Sequence, residues 1–131
     1  MKHYKFEGAA VVLAGVRAAR EYFEPLFVAR EQELTMVALC DAKVRLNQLL
    51  SFPGTEGSCQ ILLSDVFRHA LDNNAMIVAH NHPSGNPEPS DADIRLTRKL
   101  SQICEAIDVA FLDHLIFAEN GMFSFRQAGL I

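Results

Sequence analysis

The sequence has no tryptophan, only three cysteines, and no apolar stretch of the length a bilayer requires. Cys40, Cys59 and Cys104 are scattered, odd in number and form no CxxC pair. That pattern argues against a disulfide scaffold or a cysteine-rich metal site, and it fits reduced, buried thiols in a cytoplasmic protein. Basic residues are also scarce. Twelve Lys and Arg face sixteen Asp and Glu, a formal net charge of -4, so a broad nucleic-acid footprint is missing. With seven Gly and five Pro there is no collagen-like or low-complexity tract. Lys2 and Lys5 precede an apolar run over residues 8–16, in the manner of a short signal peptide. Glu7 interrupts the basic region, however, and Arg17 and Arg20 follow at once, so the run reads as the start of a first helix.

What is present is core-forming material. Half of the 131 residues are hydrophobic and 21% are charged, which implies one folded domain rather than disorder. Val12, Val16, Ala19 and Phe23 recur at helical spacing and give a core-facing stripe, with Pro25 as the end or break of that helix. Residues 34–40 are apolar on both parities, as in a central strand. A turn at 41–43 and a second strand at 44–50 complete a hairpin. The Pro and Gly content makes 52–57 a loop, and 59–63 suits a short strand. Ser64 stands at an N-cap position before a helix over 65–73, whose apolar face is Val66, Phe67, Ala70 and Leu71. Residues 75–79 form a buried strand that leads into His80. Ser90 and Asp93 form a capping box for a helix running to Ala106. Strands at 109–117 and 122–125 close the domain around a turn at 119–121. The order gives a single α/β domain with a mixed sheet over residues 1–131, the first 29 or so being a helical extension packed on it.

The chemistry concentrates between His80 and Asp93. Two histidines at i and i+2 on an extended chain point to the same side, with attachment points about 6–7 Å apart. His80 and His82 can therefore converge on one ion. Asp93, eleven residues beyond His82 and across a Pro/Gly loop, is placed to complete a three-ligand set. Neutral imidazoles and a carboxylate suit Zn²⁺ with an open position for water. Each part has a plainer reading. A lone His-x-His is often a surface pair, and the capping box alone accounts for Asp93. The joint placement, at a strand end, a Pro/Gly loop and a helix start, favours the metal.

His80, His82, Ser90 and Asp93 match the pattern H-x-H-x(7)-S-x-x-D of the JAMM (JAB/MPN) metalloproteases, and the string HNHPSGNPEPSDAD resembles the bacterial RadC-type branch. Similarity extends through residues 33–41, Gly54-Thr55, 65–71, Leu112-Asp113-His114 and Phe123-Ser124-Phe125, and so covers about residues 30–131. The resemblance implies a cytidine-deaminase-like α/β fold and a catalytic Zn²⁺ held by His80, His82 and Asp93. It also implies an upstream glutamate as general acid/base, matched here by Glu33, and a role for Ser90 in stabilising the oxyanion. Glu31, with the same strand parity, and Glu56, in the loop before Cys59, are the other candidates for the base. Asn81 is assigned to loop stabilisation and His114 to a hydrogen-bonded strand position. His3 and His69 read as incidental, and Arg95, Arg98 and Lys99 as a solvated helix face.

The reading that follows is a zinc-dependent metallohydrolase acting on a peptide or isopeptide-like amide in a peptide or protein substrate, without a membrane segment. Two alternatives stand beside it. One is a non-catalytic MPN binding module, which the intact ligand set disfavours. The other is a DNA repair accessory or nucleic-acid processing protein, suggested by the RadC name. Longer members carry an N-terminal helix-hairpin-helix segment for which these 131 residues leave no room, and the acidic balance weakens this option further. His-Asn-His is not the HNH nuclease motif, whose residues are spread along a ββα unit. The deaminase signature of H-x-E and P-C-x-x-C is absent as well. Residues 49–58 depart from the RadC pattern, with Leu49-Leu50-Ser51-Phe52 where a charged residue is common.

Overall fold

The computed structural model describes residues 1–7, 11–54 and 61–131. The strands are β1 (Lys2–Lys5), β2 (Leu34–Cys40), β3 (Leu46–Pro53), β4 (Ala75–Asn81), β5 (Ala110–Ala118) and β6 (Gly121–Ser124). The helices are α1 (Val16–Phe27), α2 (Leu63–Ala70) and α3 (Asp91–Ala106). The strands form one sheet in the order β1-β3-β2-β4-β5-β6. Only β4 and β5 pair in parallel, joined by the α3 crossover, and the other pairings are antiparallel. The mixed α/β sheet is therefore as the sequence implies.

Strand alternation divides the core into two layers. Met36, Ala38, Cys40, Ile77 and Ala79 face one side, where Ala19, Phe23 and Phe27 of α1 cover them. Val37, Leu39, Met76 and Val78 face the other, covered by Val66 and Ala70 of α2 and by Leu100 and Cys104 of α3. Both faces of β2 and β4 are buried, so these strands read as continuous apolar runs. Each fully buried Phe or Leu in these layers stabilises the fold by about 1.5–3 kcal/mol. The exposed Arg17–Glu21 and Arg20–Glu24 pairs of α1 contribute about 0.3–0.5 kcal/mol each at most. Packing of Phe23 and Phe27, including a stack of Phe27 on Phe117 at 5.4 Å, therefore decides where α1 docks.

Several element boundaries differ from those read in the sequence. The N-terminal residues make an edge strand, β1, against β3, and α1 does not begin until Val16. Residues 11–13 are extended: Leu46 donates to the Val11 carbonyl, Leu13 donates to that of Val44, and Val12 is half exposed rather than core. Residues 8–10 lie outside the described region. Pro25 does not end the helix, which runs on to Phe27. Pro25 has no N–H to give, but that costs one bond in the last turn, and burial of Phe27 outweighs it. The hairpin turn is longer than 41–43. The Asp41 carboxylate accepts from the Lys43 and Arg45 amides, and Val44 takes a left-handed φ of 59°, so β3 starts at Leu46 and keeps Phe52 and Pro53.

The α2 helix is capped by Leu62 without a side-chain bond; Ser64 lies inside its first turn. It ends at Ala70, leaving Leu71 64% exposed instead of on the apolar face. Of the short strand expected at 59–63, Cys59 and Gln60 fall outside the described residues, and Leu63 already belongs to α2. The closing elements follow expectation to within a residue: α3 ends at Ala106 and β5 and β6 flank the turn. The chain after β6 is tied back by Asp113, which accepts from Ser124 Oγ and from the amides of His114 and Arg126. Among the described residues no helix is long and apolar enough to cross a membrane.

Burial decides the state of the two described thiols. It pushes the Cys40 thiol up to about 12, helped by the negative charge of Asp41, and the Cys104 thiol up to about 11. At about pH 8, close to the ordinary thiol pKa of about 8.5, both remain protonated. Alkylation of the native protein with iodoacetamide should spare Cys40 and Cys104, which should react only after denaturation. Peptide mapping by mass spectrometry reads this directly, and modification of either residue at the rate of a free thiol would contradict the two-layer core.

Candidate metal centre

The parity that buries Met76 and Val78 under α3 carries on along β4 and turns His80 toward the same side. One step further, His82 leaves the strand with its amide held by the Phe117 carbonyl at 2.8 Å. Pro83 and Ser84 then turn the chain. Gly85, at φ +93°, makes that turn feasible, its amide donating back to the His82 carbonyl at 3.1 Å. The loop returns to Ser90, the N-cap of α3. Ser90 Oγ accepts from the Asp93 amide at 3.1 Å, and the Ser90 amide donates to Asp93 Oδ2 at 2.9 Å. This capping box fixes the Asp93 carboxylate against the two imidazoles.

The result is a compact triangle. His80 Nε2 lies 3.0 Å from His82 Nε2, His82 Nε2 lies 3.1 Å from Asp93 Oδ2, and His80 Nε2 lies 3.3 Å from Asp93 Oδ1. A tetrahedral centre with bonds of about 2.0–2.1 Å separates its ligand atoms by roughly 3.3 Å, and one donor atom from each of the three residues lies within 4.8 Å of the other two, so the group could hold one ion. The donor chemistry agrees. His82 Nδ1 sits 2.9 Å from the Asn86 carbonyl, which only accepts, so Nδ1 bears the proton and Nε2 is the atom available to an ion. Among the described residues this is the one group of three or more His, Cys, Asp or Glu side chains close enough to share a metal.

Charge is already organised around the triangle. The Asp93 carboxylate, by accepting a hydrogen bond from the protonated ring, raises the His82 pKa; burial opposes this, and the Asn86 carbonyl and the Glu33 charge add to the rise. Burial works to raise the Asp93 pKa, but hydrogen bonds from His80 and His82 when these rings are protonated, the charge of a protonated His80 and the Ser90 amide outweigh it. The carboxyl is held far below the usual range. Asp93 is therefore ionised under ordinary conditions. His80 is 3% exposed, and its Nδ1 is 2.8 Å from Nε2 of His114. His114 is fully buried, which keeps its pKa well below the ordinary value, and the neighbouring His80 lowers it further.

The β2–β4 pairing begins at Thr35 opposite His80, two residues after Glu33, whose charge acts on His82. Glu33 is half-buried and Glu31 exposed, while Glu56 lies outside the described residues. Asn81 has a more specific task than loop stabilisation. Its amide straddles Glu33, accepting from Leu34 N at 2.7 Å and donating to the Gln32 carbonyl at 3.1 Å. A groove of about 530 Å³ lies between α1 and the β5–β6 end of the sheet, lined by Arg20, Glu24, Phe27, Phe117 and Met122, and of the triangle only His82 borders it. Arg95, Arg98 and Lys99 are exposed, as expected of a solvated face. His3 and His69 meet at 4.5 Å near β1, with two strands between β1 and β4.

Thr97 was not singled out from the sequence, although it lies on the face of α3 one turn after Asp93. Its hydroxyl is 2.6 Å from His114 Nδ1. The four-residue spacing from Asp93 was the available signal.

Because the cap and the candidate ligand share one carboxylate, Ser90→Ala should cost about 1 kcal/mol of stability, and Ser90→Thr should restore most of it. Urea denaturation followed by circular dichroism measures both, and an unchanged midpoint for the alanine variant would show that the cap contributes nothing.

Comparison with known proteins fits this geometry. The model of the RadC-like JAB domain matches residues 13–130. A UPF0758 protein of Acinetobacter baylyi is 36% identical over 134 aligned residues, covering all of this chain and 49% of its own length. One of Neisseria meningitidis serogroup B is 41% identical over 106 residues, 76% of this chain and 47% of the relative. One of Herminiimonas arsenicoxydans is 37% identical over 126 residues, 92% of this chain and 55% of the relative. The chain thus spans about half the length of the curated relatives it matches. With a mixed sheet and a His-His-Asp group at the end of β4 among the described residues, this chain belongs to the RadC-like JAB domain family.

Proposed function

We propose that the chain is a zinc-dependent hydrolase that cleaves peptide or isopeptide-like amide bonds. The observation that supports this best is the convergence of His80 Nε2, His82 Nε2 and the Asp93 carboxylate, which meets them through Oδ1 at 3.3 Å and Oδ2 at 3.1 Å, with 3.0 Å between the two imidazole nitrogens. Two imidazoles and one carboxylate are a catalytic rather than a structural zinc set, since they leave a coordination position for water. Zinc held there would supply Lewis acidity and lower the pKa of water to about 7.

The remaining work falls to the chain. Glu33 takes a proton from the attacking water and passes it to the leaving amine nitrogen. The Ser90 hydroxyl, exposed at the helix start, accepts from the Asp93 amide and keeps its own proton to donate toward a developing oxyanion. The Asn81 amide holds the backbone on both sides of Glu33, so the base does not drift from the water it must reach.

Zinc content and turnover test the proposal together. The purified protein should bind about one equivalent of zinc by mass spectrometry, and His82→Ala should lose it. On a fluorogenic peptide library the zinc-loaded protein should cleave amide bonds, and Glu33→Gln should lower kcat about 100-fold or more with zinc content unchanged. Zinc-replete wild type without stoichiometric metal would defeat the reading. Full cleavage by Glu33→Gln would remove Glu33 from it, and cellular activity that survives Glu33→Gln would favour a binding module.

A further inference from the structure

His80 has a second side that the cleavage chemistry does not use. Away from Asp93, its ring enters a chain of buried groups. His80 Nδ1 lies 2.8 Å from His114 Nε2, His114 Nδ1 lies 2.6 Å from Thr97 Oγ1, and Thr97 Oγ1 donates to the Asp93 carbonyl at 2.8 Å. His80, His114 and Thr97 are 3%, 0% and 2% exposed, so water does not compete for these bonds. The chain is closed: it leaves α3 at Asp93, passes through β5 and β4, and returns to the Asp93 carboxylate through His80.

The direction of the protons follows from one end. A carbonyl oxygen only accepts, so the Thr97 proton points to Asp93 and Oγ1 receives the proton of His114 Nδ1. A neutral imidazole has one N–H, which leaves His114 Nε2 as an acceptor. His80 must then donate from Nδ1, and its Nε2 is left bare and aimed at the triangle. The opposite arrangement would place an N–H of His80 among the three donor atoms, where it would exclude an ion. The His114 ring is also fixed in plane, stacked on Phe125 at 4.7 Å with 8° between the rings. The orientation of the relay is thereby set by packing as well as by hydrogen bonds.

We propose that Thr97 and His114 are positioning residues, a buried relay that fixes the tautomer and ring angle of His80 so that its Nε2 presents a lone pair to a metal ion. The purpose of the relay rests on reading the triangle as a metal centre, but its tautomers are properties of the metal-free chain. A partner of this kind on a metal-bound imidazole typically contributes 10–100-fold in affinity.

The experiment is ¹⁵N-edited NMR of the metal-free protein at about pH 8.5, well above the ordinary imidazole pKa of about 6.5. Two-bond ¹H–¹⁵N correlations separate protonated from bare ring nitrogens. His80 and His114 should both carry their proton on Nδ1, and a proton on His80 Nε2 would overturn the relay without any variant. Thr97→Val keeps the shape and removes the hydroxyl. It should give mixed or reversed tautomers at His114 and His80 and weaken zinc binding about tenfold in a chelator competition, whereas Thr97→Ser should retain both. Wild-type tautomers and affinity in Thr97→Val would overturn the proposal. Absence of zinc binding alongside Nδ1-protonated His80 would defeat the metal reading of the site and leave the relay standing, so the two failures are distinguishable.

Discussion

The pairing of β2 with β4 is the constraint on which the remaining geometry rests. Their antiparallel register sets Thr35 against His80 and sends both chains out of the sheet at the same end. Strand parity then aims His80 and His82 at α3, and the Asn81 side chain between them holds the partner chain at Gln32 and Leu34. A slip of one residue would turn both imidazoles toward α1 and away from Asp93. Burial makes such a slip prohibitive, because every residue of β4 is buried and each would exchange one packed layer for the other.

Asp93 is the point at which fold and chemistry share an atom. Its Oδ2 receives the Ser90 amide and approaches His82, while its backbone carbonyl receives the Thr97 hydroxyl. Helix α3 therefore delivers a carboxylate already oriented before any ligand arrives. The N-terminal end of a helix also favours negative charge, and Asp91 and Asp93 both stand in that first turn. Preorganisation of this kind costs nothing at the moment of binding, in contrast to a side chain that must first be immobilised.

Legibility in the sequence followed the locality of the signals. The capping box, the apolar run of β4 and the His-x-His spacing are short-range patterns, and they gave α3 and the triangle directly. Strand β1 is polar and lies at the sheet edge, so no alternation announces it; pairing with β3 makes it a strand. Pro25 was read as a stop because local geometry disfavours it, yet the burial of Phe27 two residues later overrides that preference. The Thr97–His114 contact joins residues seventeen apart, and only the parallel register of β4 and β5 brings His114 beneath His80. Glu33 stood in the sequence as one of three glutamates, because no local pattern separates it from Glu31 or Glu56.

The turn at Gly85 gives this arrangement a mechanical character. The loop from His82 to Ser90 is anchored at both ends, by the Phe117 carbonyl at one and by the capping box at the other, and the Gly85 carbonyl is held in between by the Asn120 amide. It behaves as a short strap fastened across the open end of the sheet. Strain applied to the β5–β6 turn, through Asn120, would be passed to the spacing between His82 and Asp93, so whatever seats against that turn has leverage over the grip of the centre.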